Sequence, residues 1–316
     1  MAKKCLSCYE SLSEKNTKFH ASCSRKLFNS PIPPILDFTE EQMLELGTKV
    51  IKSQAAVTGV QPKLSLEIEK LKSKDIPDRF TIVGLWGGYI LKPPSVIYKE
   101  LPELEDLTMH LAKSAGIETV PHSLIRLKSG TLAYITKRVD RTKAGKIHME
   151  DMCQLTQRLT EHKYQGSYEQ IGKAIIQYSE NPLLDIINFF EQVIFSFLIG
   201  NADMHLKNFS LINQPGIGYT LCPAYDLVPS EIIVEGDDEE LALNLNGKKR
   251  KISRSDFVAA MERFDIDSKT MDNIFAKFVK SKKYWEEFIK ISFVTKKKQI
   301  ELNKLIQRKF EQLELR

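Results

Sequence analysis

The sequence places four polar or ionisable side chains directly after a strongly apolar stretch. In "SFLIGNADMHLKNFSL" these are Asp203, His205, Lys207 and Asn208, and a later run delivers Asp226 in "CPAYDL". Phosphoryl transfer needs one carboxylate that accepts the proton of an attacking hydroxyl, with a carboxamide and a second carboxylate that hold Mg²⁺ against the phosphates. The spacing therefore predicts Asp203 as the catalytic base, and Asn208 and Asp226 as magnesium ligands.

Two further side chains of this segment have less specific roles. Lys207 is placed to neutralise a transferred phosphoryl group, and His205 to orient the loop or to contact a nucleotide. The alternative is a polar loop that caps a core helix, in which Asp and Asn side chains satisfy backbone donors at a turn. The pair Asp203 and Asn208 does not by itself separate the two interpretations.

A lysine on an apolar strand favours the catalytic interpretation. Lys92 in "GYILKPP" would be a costly buried ammonium unless an anion, such as a nucleotide phosphate, lies beside it. The alternative is an edge strand from which Lys92 points outward. Glu103 and Glu105 begin the next helix, and either can pair with Lys92. Glutamates in a first turn also suit the helix dipole, so the pattern does not choose between them.

Two other segments are candidates for nucleotide contacts. "TGVQPK" precedes the Lys92 strand and is a candidate phosphate loop, although its single glycine fits an ordinary tight turn equally well. "ITKRVDR" ends the β-prone region and is a candidate hinge whose backbone faces an adenine; Asp140 within it can reach a ribose or pair with Arg138 or Arg141. The candidate residues are Thr58, Gly59, Val60, Gln61, Pro62 and Lys63 in the loop, and Lys137, Arg138 and Val139 in the hinge.

The N-terminal segment carries two close pairs of metal-type ligands. Cys5-x2-Cys8 and His20-x2-Cys23 are separated by eleven residues. A module of about thirty residues has too little core to be stable alone, and a tetrahedral Zn²⁺ would staple it. Alternatively, these are free thiols and a histidine in a segment without metal, since "KFHASCSRKLF" is also typical of an amphipathic helix. The other two cysteines, 153 and 222, are predicted to be small core residues.

Composition favours a globular, intracellular protein. The chain has 316 residues, of which 42% are hydrophobic, and 46 Lys plus Arg against 41 Asp plus Glu give a modest net charge of +5. Five cysteines do not form the even framework of a secreted scaffold, and the N-terminus leads into no apolar signal core, which predicts a cytoplasmic location. The apolar run from Leu183 to Ile199 carries a polar stripe at helical spacing and is predicted to be a core helix rather than a membrane span.

The element pattern predicts an α+β fold with a small β-rich lobe and a larger helical lobe. A Cys/His module at 1–30 ends in the proline-rich "NSPIPPI"; short β-prone runs, with one helix, fill a small lobe at 31–140. A mainly helical lobe follows at 141–316, interrupted by a β-hairpin that turns at Pro215 to Gly218. The charged C-terminal stretch is predicted to be a solvated surface helix.

Four motifs, in this order and spacing, resemble the HipA family of bacterial toxin serine/threonine kinases: "TGVQPK", "YILKP", "NADMHLKNFSL" and "PAYDLV". The likeness extends over roughly residues 50 to 265. It implies a protein-kinase-like bilobed fold, ATP and Mg²⁺ as cofactors, and phosphorylation of a serine on a protein, which in characterised members is an aminoacyl-tRNA synthetase. By position it implies Asp203 as the catalytic aspartate and Asn208 and Asp226 as Mg²⁺ ligands. The implied ATP contacts are Thr58–Lys63, Lys92, Lys137–Val139, His205–Asn208, Tyr225 and Asp226.

The chain departs from the family pattern at two points. Full-length HipA proteins carry an additional N-terminal subdomain before the glycine loop, so this chain is more similar to the short HipT-type toxins, whose partners are a small protein that supplies that subdomain and a DNA-binding antitoxin. The family autophosphorylates a serine before the loop, where this chain has Ala56. Either Ser53 or Thr58 takes that role, or the alanine is an engineered change.

Two other functions remain compatible with the motifs. "DMHLKN" beside an ATP site also suits a small-molecule kinase that acts on a sugar or antibiotic hydroxyl. A non-enzymatic protein that binds nucleotide and serves as a scaffold for a DNA-binding antitoxin is the third interpretation.

Overall fold

A computed structural model of the protein describes residues 3–13, 18–43, 45, 63–70, 77–83, 86–234, 236 and 238–315. The chain divides into two compact units. The first unit comprises Met1–Asp106, Val120–Val139 and Ile291–Phe293, and the second comprises Leu107–Thr119, Asp140–Lys290 and Val294–Arg316. The predicted domain limits at residues 30 and 140 stay predictions.

The first unit is built around a five-stranded antiparallel sheet with the order β2-β1-β3-β5-β4. Alternate side chains of its strands face the core, as period-two patterning requires; Leu66, Leu91 and Ile135 are 0% exposed. Leu91 pairs with Ile135, and Lys92 with Tyr134, across β3 and β5. The strands are β1 (Leu64–Glu69), β2 (Arg79–Ile82), β3 (Tyr89–Lys92), β4 (His122–Arg126) and β5 (Leu132–Lys137).

Two helices accompany this sheet in the chain. Helix α1 (Ala21–Phe28) packs on it through Phe28, whose ring lies 5.8 Å from that of Phe80 and 6.0 Å from that of Tyr89. Helix α2 (Leu101–Ser114) has Pro102 and Glu103 in its first turn. It ends before Gly116, because this glycine adopts a left-handed φ of 76° and its N–H donates to the Lys113 carbonyl, which satisfies an orphan carbonyl of the last turn.

The second unit is mainly helical. Its helices are α3 (Met152–Leu155), α4 (Tyr168–Tyr178), α5 (Pro182–Leu198), α6 (Arg254–Glu262), α7 (Ser268–Ile291) and α8 (Lys296–Gln312). Its strands are β6 (Arg141–Thr142) and β7 (Gly145–Lys146), which pair with each other, and β8 (Met149–Asp151), β9 (Ser210–Gln214) and β10 (Gly218–Leu221), which form a three-stranded sheet.

The hairpin predicted around Pro215 is present. β9 and β10 pair in the register Gln214 to Gly218, and the turn residues Gly216 and Gly218 have φ values of 78° and 104°, which only glycine adopts without strain. Asp185 of α5 anchors the hairpin, because its carboxylate accepts the Leu221 N–H at 2.7 Å. The same carboxylate accepts the Ser179 hydroxyl at 2.6 Å. Asp185, a member of the predicted polar stripe of α5, therefore bonds to other parts of the protein. Among the described residues, no helix combines the length and apolarity needed to cross a bilayer.

The C-terminal helix differs from its prediction. Rather than lying solvated, α8 buries one face in the second unit, where Leu302, Ile306 and Phe310 are at most 2% exposed. Lys309 on this face is also buried and lies 3.2 Å from Glu231 and 3.0 Å from Glu240. The apolar residues at helical spacing therefore bury this face although the segment is highly charged. Burial of Lys309 is compatible with this because the lysine has acidic partners.

Candidate active site

The loop that follows α5 is folded by its own hydrogen bonds. It begins at Gly200, whose φ of 68° turns the chain out of the helix, and a Cβ added there would lie 2.5 Å from a Leu305 methyl. The Asp203 N–H donates to Asn201 Oδ1 at 3.1 Å, and the His205 N–H donates to the Asp203 carbonyl at 2.9 Å. Asp203 thus lies at the tip of a tight turn that directly follows α5.

Asp203 is exposed and has a phenol as its partner. The Tyr164 hydroxyl donates to Asp203 Oδ1 at 2.6 Å, and Tyr164 is itself 44% exposed. The Tyr164 ring contacts the His205 ring edge-on at a centroid distance of 5.0 Å, and the Lys163 ammonium lies 4.9 Å from the Tyr164 ring centroid. An exposed carboxylate held by a hydrogen bond is suited to accept a proton from an incoming hydroxyl.

Asn208 is oriented by the same turn. Its Nδ2 donates to the Asp203 carbonyl at 2.9 Å, and its backbone N–H donates to the His205 carbonyl at 2.9 Å. Because the amide nitrogen is used in this way, Oδ1 is the atom of the side chain that can bind a cation. Asp203 and Asn208, which are separated by four residues, therefore lie in one turn and are joined by the hydrogen bond from the Asn208 side chain to the Asp203 carbonyl.

His205 lies within the influence of both predicted carboxylates. Burial lowers the pKa of its imidazole to about 4, while Asp203 and Asp226 act to raise that pKa and Lys163 to lower it. Its Nδ1 is buried and, within the described part of the chain, has no hydrogen-bond partner. The imidazole is hence neutral at pH 7, and the charges of Asp203 and Asp226 both act to raise its pKa.

Asp226 comes after the β9–β10 hairpin in the chain. It follows β10 and has a left-handed φ of 56°, which aspartate tolerates better than most residues with a side chain. The preceding Tyr225 bonds through its hydroxyl to Ser210 at 2.5 Å and to the Lys207 carbonyl at 3.0 Å. Tyr225, predicted as an ATP contact, therefore joins the hairpin to the loop of Lys207 through its polar end.

Lys207 has a partner that the sequence motifs did not suggest. Its ammonium lies 2.6 Å from Asp151 Oδ2, and Asp151 also caps α3 by accepting the Gln154 N–H at 3.0 Å. The cap was readable from "DMCQ", which has the spacing of a capping box, but its ion pair with Lys207 was not. Tyr164 and Asn201 were missed as well, because "EHKYQG" has no strand or helix period and the Asn201 contact is made only by the folded turn.

Lys92 is buried in the first unit and pairs with one of the two candidate glutamates. It is 4% exposed, and Nζ lies 2.5 Å from Glu105 Oε1; the same ammonium is 5.5 Å from the Tyr134 ring centroid. The outward-pointing alternative is thus wrong. Glu103 differs from Glu105, because burial raises the pKa of its carboxyl to about 7.

The structure describes the predicted hinge but little of the predicted phosphate loop. Thr58–Pro62, with Ser53 and Ala56, lie outside the described residues, and Lys63 is the described end of that segment. In the hinge, the Lys137 N–H donates to Pro121 and the Arg138 N–H to Gly88. These two N–H groups are therefore already used, and an adenine would have to bond to other backbone groups of Lys137–Val139. Asp140 is buried and pairs with Arg141 at 2.5 Å.

The N-terminal ligand set does come together. One ligand atom from each of Cys5, Cys8, His20 and Cys23 lies within 4.8 Å of the others. Helix α1 begins directly after His20, so the amphipathic helix and the ligand cluster, posed as alternatives, coexist.

Comparison with known proteins places these features in a family. The HipA-like C-terminal domain matches residues 55–285. A putative kinase of Sinorhizobium fredii, Y4dM, is 36% identical over 54% of this chain and 44% of its own length. A putative kinase of Haemophilus influenzae is 32% identical over 66% of this chain and 61% of its own length. The chain thus spans about half the length of these relatives.

Two solved structures are similar in fold. The HipA of Shewanella oneidensis, determined with HipB and operator DNA, matches with a TM-score of 0.62 at 19% identity over 84% of this chain and 70% of that one. The proinflammatory kinase CtkA of Helicobacter pylori matches with a TM-score of 0.51 at 14% identity over 71% of this chain and 87% of that one. The fold is therefore the kinase-like α+β fold that the motifs predicted. Since the matched domain covers most of the chain, the protein belongs to the HipA-like C-terminal domain family.

Proposed function

We propose that this chain is an ATP- and Mg²⁺-dependent protein serine/threonine kinase that acts as the toxin of a bacterial toxin–antitoxin system. The observation that carries the proposal is the turn at Asp203, in which Asn208 Nδ2 donates to the Asp203 carbonyl at 2.9 Å while the Asp203 side chain stays exposed to solvent. The β9–β10 hairpin starts directly after this turn, and Asp226 follows the hairpin. One turn and one hairpin thus supply a candidate base and two oxygen ligands for a cation. Phosphoryl transfer requires little more than such positioning and charge compensation.

Each group has a defined part in the proposed reaction. The Asp203 carboxylate accepts the proton of a serine hydroxyl while that oxygen bonds to the γ-phosphorus and the bond from phosphorus to the ADP oxygen breaks. Oδ1 of Asn208 and the carboxylate of Asp226 would hold Mg²⁺, which neutralises charge on the phosphate oxygens. Lys92, held by Glu105, would bind phosphate oxygens. Tyr164 orients the Asp203 carboxylate through its hydrogen bond to Oδ1.

The finer parts of the proposal are supported by the family resemblance. We infer an aminoacyl-tRNA synthetase as the target, a cytoplasmic location, and a DNA-binding antitoxin as partner, since the Shewanella oneidensis HipA was solved with HipB and operator DNA. A small antitoxin that resembles the additional N-terminal subdomain of longer HipA proteins would be a second partner, as in HipT-type systems.

Transfer of labelled phosphate from ATP tests the proposal. The purified chain is incubated with labelled ATP and Mg²⁺ and with bacterial lysate protein, purified aminoacyl-tRNA synthetases, or sugars and aminoglycosides. We expect label on protein serine, and a loss of about 10²- to 10⁴-fold in Asp203→Asn with ATP binding retained. Asp272→Asn, which alters a carboxylate whose side chain is 72% exposed on α7, is the control and should transfer normally.

The other outcomes identify the alternatives. Label on small molecules alone would indicate a small-molecule kinase. ATP binding without any transfer would favour a nucleotide-binding scaffold, and normal transfer by Asp203→Asn would remove this residue from the role of base.

A further inference from the structure

The N-terminal segment contains a ligand set that the proposed kinase chemistry does not use. Cys5 and Cys8 lie in a turn closed by the Tyr9 N–H, which donates to the Cys5 carbonyl at 3.0 Å. His20 and Cys23 lie at the start of α1, where the chain enters the helix. Two separate turns thus present their ligand atoms to one point, with all four atoms within 4.8 Å of one another.

The histidine is oriented as a metal ligand would be. Its Nδ1 lies 3.3 Å from Cys8 Sγ, and its Nε2 lies 3.1 Å from the Ser11 carbonyl, to which the Nε2–H of this tautomer donates. Because Nε2–H bonds to the carbonyl, Nδ1 carries the lone pair and faces the thiols. Metal-binding histidines usually donate their second ring N–H to a carbonyl or carboxylate in this way. The His20 backbone N–H also donates toward Cys5 Sγ at 3.4 Å, which joins the two ligand-bearing turns.

The donor set and its dimensions select zinc. Three sulfurs and one imidazole nitrogen form a closed tetrahedral set of the kind found in structural zinc sites. A Zn–S bond of about 2.3 Å places tetrahedral ligand atoms about 3.8 Å apart, so separations of up to 4.8 Å close onto an ion with small movements of side chains. We propose that Cys5, Cys8, His20 and Cys23 bind one structural Zn²⁺ ion. This proposal does not depend on the proposed kinase function.

The site has a structural task within the first unit. Tyr9, next to Cys8, is 2% exposed and has a left-handed φ of 65°, which is unfavourable for a bulky residue. The Tyr9 hydroxyl donates to Asp106 Oδ2 at 2.7 Å. Asp106 Oδ1 accepts a hydrogen bond from His122 Nδ1 at 2.7 Å. Asp106 follows Glu105 in α2. An ion that holds the Cys5–Cys8 turn would therefore hold Tyr9 against the helix that carries the partner of Lys92.

Metal analysis of the full chain tests the proposal. The protein is purified under reducing conditions without chelator, exposed to Zn²⁺, desalted and measured by elemental mass spectrometry. We expect one equivalent of zinc in the wild type and in Cys153→Ala, which removes a buried cysteine outside the set, and a residual trace in Cys8→Ser and Cys23→Ser. Replacement by Co²⁺ should give the visible spectrum of a tetrahedral thiolate site.

A measurement on the unmodified protein covers the case in which the serine variants do not fold. In the zinc-loaded native chain, Cys5, Cys8 and Cys23 should be slow to alkylate, and a chelator should expose these three thiols together and lower the melting temperature. Three results would overturn the proposal: no zinc in the wild type, equal zinc in all variants, or a disulfide among the three cysteines under reducing conditions.

Discussion

The ammonium of Lys92 lies 2.5 Å from Glu105 Oε1, and the two side chains are only 5% and 1% exposed. Lys92→Met removes a charge-assisted hydrogen bond from a buried carboxylate, so it should lower the free energy of unfolding by about 3–5 kcal/mol. The double variant Lys92→Met/Glu105→Leu should recover most of that stability but no phosphate transfer. Urea unfolding followed by circular dichroism measures the first effect, and labelled ATP the second.

A solvent-exposed pair in the same sheet is the control for that prediction. Arg79 and Glu69 lie 2.7 Å apart with side chains 56% and 44% exposed, so solvent screens the pair and Arg79→Gln should leave the free energy of unfolding nearly unchanged. An equal loss in Lys92→Met and Arg79→Gln would contradict the energetic importance of the buried pair.

Asp226 combines a proposed Mg²⁺ ligand with a left-handed backbone. Asp226→Asn keeps a side chain that tolerates φ of 56°, so its stability should change by no more than about 0.5 kcal/mol, whereas Asp226→Val should lose about 1–2 kcal/mol from the backbone alone. We expect Asp226→Asn to need more Mg²⁺ for half-maximal transfer. Asp265, with φ of 55°, is a matched control, and Asp265→Asn should leave the Mg²⁺ titration unchanged.

The Tyr164 hydroxyl orients the proposed base. Because a hydrogen bond to a charged group contributes about 1.5–3 kcal/mol, Tyr164→Phe should lower kcat at least about tenfold and leave the KM for ATP unchanged. Tyr178 on α4 is 42% exposed against 44% for Tyr164, which makes Tyr178→Phe the control of equal exposure. A kcat that is unchanged or higher in Tyr164→Phe would mean that the phenol does not assist catalysis.

Glu103 should make stability depend on pH. Burial raises the pKa of this carboxyl from 4.5 to about 7, so the folded state holds the proton over a range in which the unfolded state has lost it. Stability from this group is therefore full below about pH 4.5 and is lost as the pH rises through about 7. Glu103→Gln should remove the effect and gain on the order of 1–3 kcal/mol over the wild type at pH 8, but not at pH 4.

Urea midpoints across this pH range check the sign. Glu286→Gln changes an exposed glutamate of α7 and is the comparison variant. If the difference between Glu103→Gln and the wild type is the same at both pH values, the Glu103 carboxyl is not the titrating group.

Local rules predicted the elements that hold the site. The hairpin around Gly216, the start of α2 and the end of that helix at Gly116 follow from turn and capping chemistry, which acts within a few residues. The Asp203–Asn208 turn was also readable, because its hydrogen bonds join near neighbours in the chain.

Ion-pair partners that lie far apart in the sequence could not be predicted from local patterns. Glu103 and Glu105 lie two residues apart near the start of α2, and only the folded structure shows that Glu105, 1% exposed, is the partner of Lys92. The C-terminal helix was misjudged for the same reason, since the acids that accompany buried Lys309 lie 69 and 78 positions earlier. Likewise, Asp151 meets Lys207 through a separation of 56 residues.

The bond between Tyr164 and Asp203 also bears on selectivity. The Asp203 carboxylate already accepts a hydrogen bond from a hydroxyl at 2.6 Å, and that hydroxyl belongs to the same chain. In the proposed kinase, an acceptor hydroxyl would therefore have to share the carboxylate with the phenol, and a water molecule would bring few other contacts to favour that arrangement. This bond would then disfavour idle hydrolysis of ATP and favour acceptors that bring an extended surface of their own.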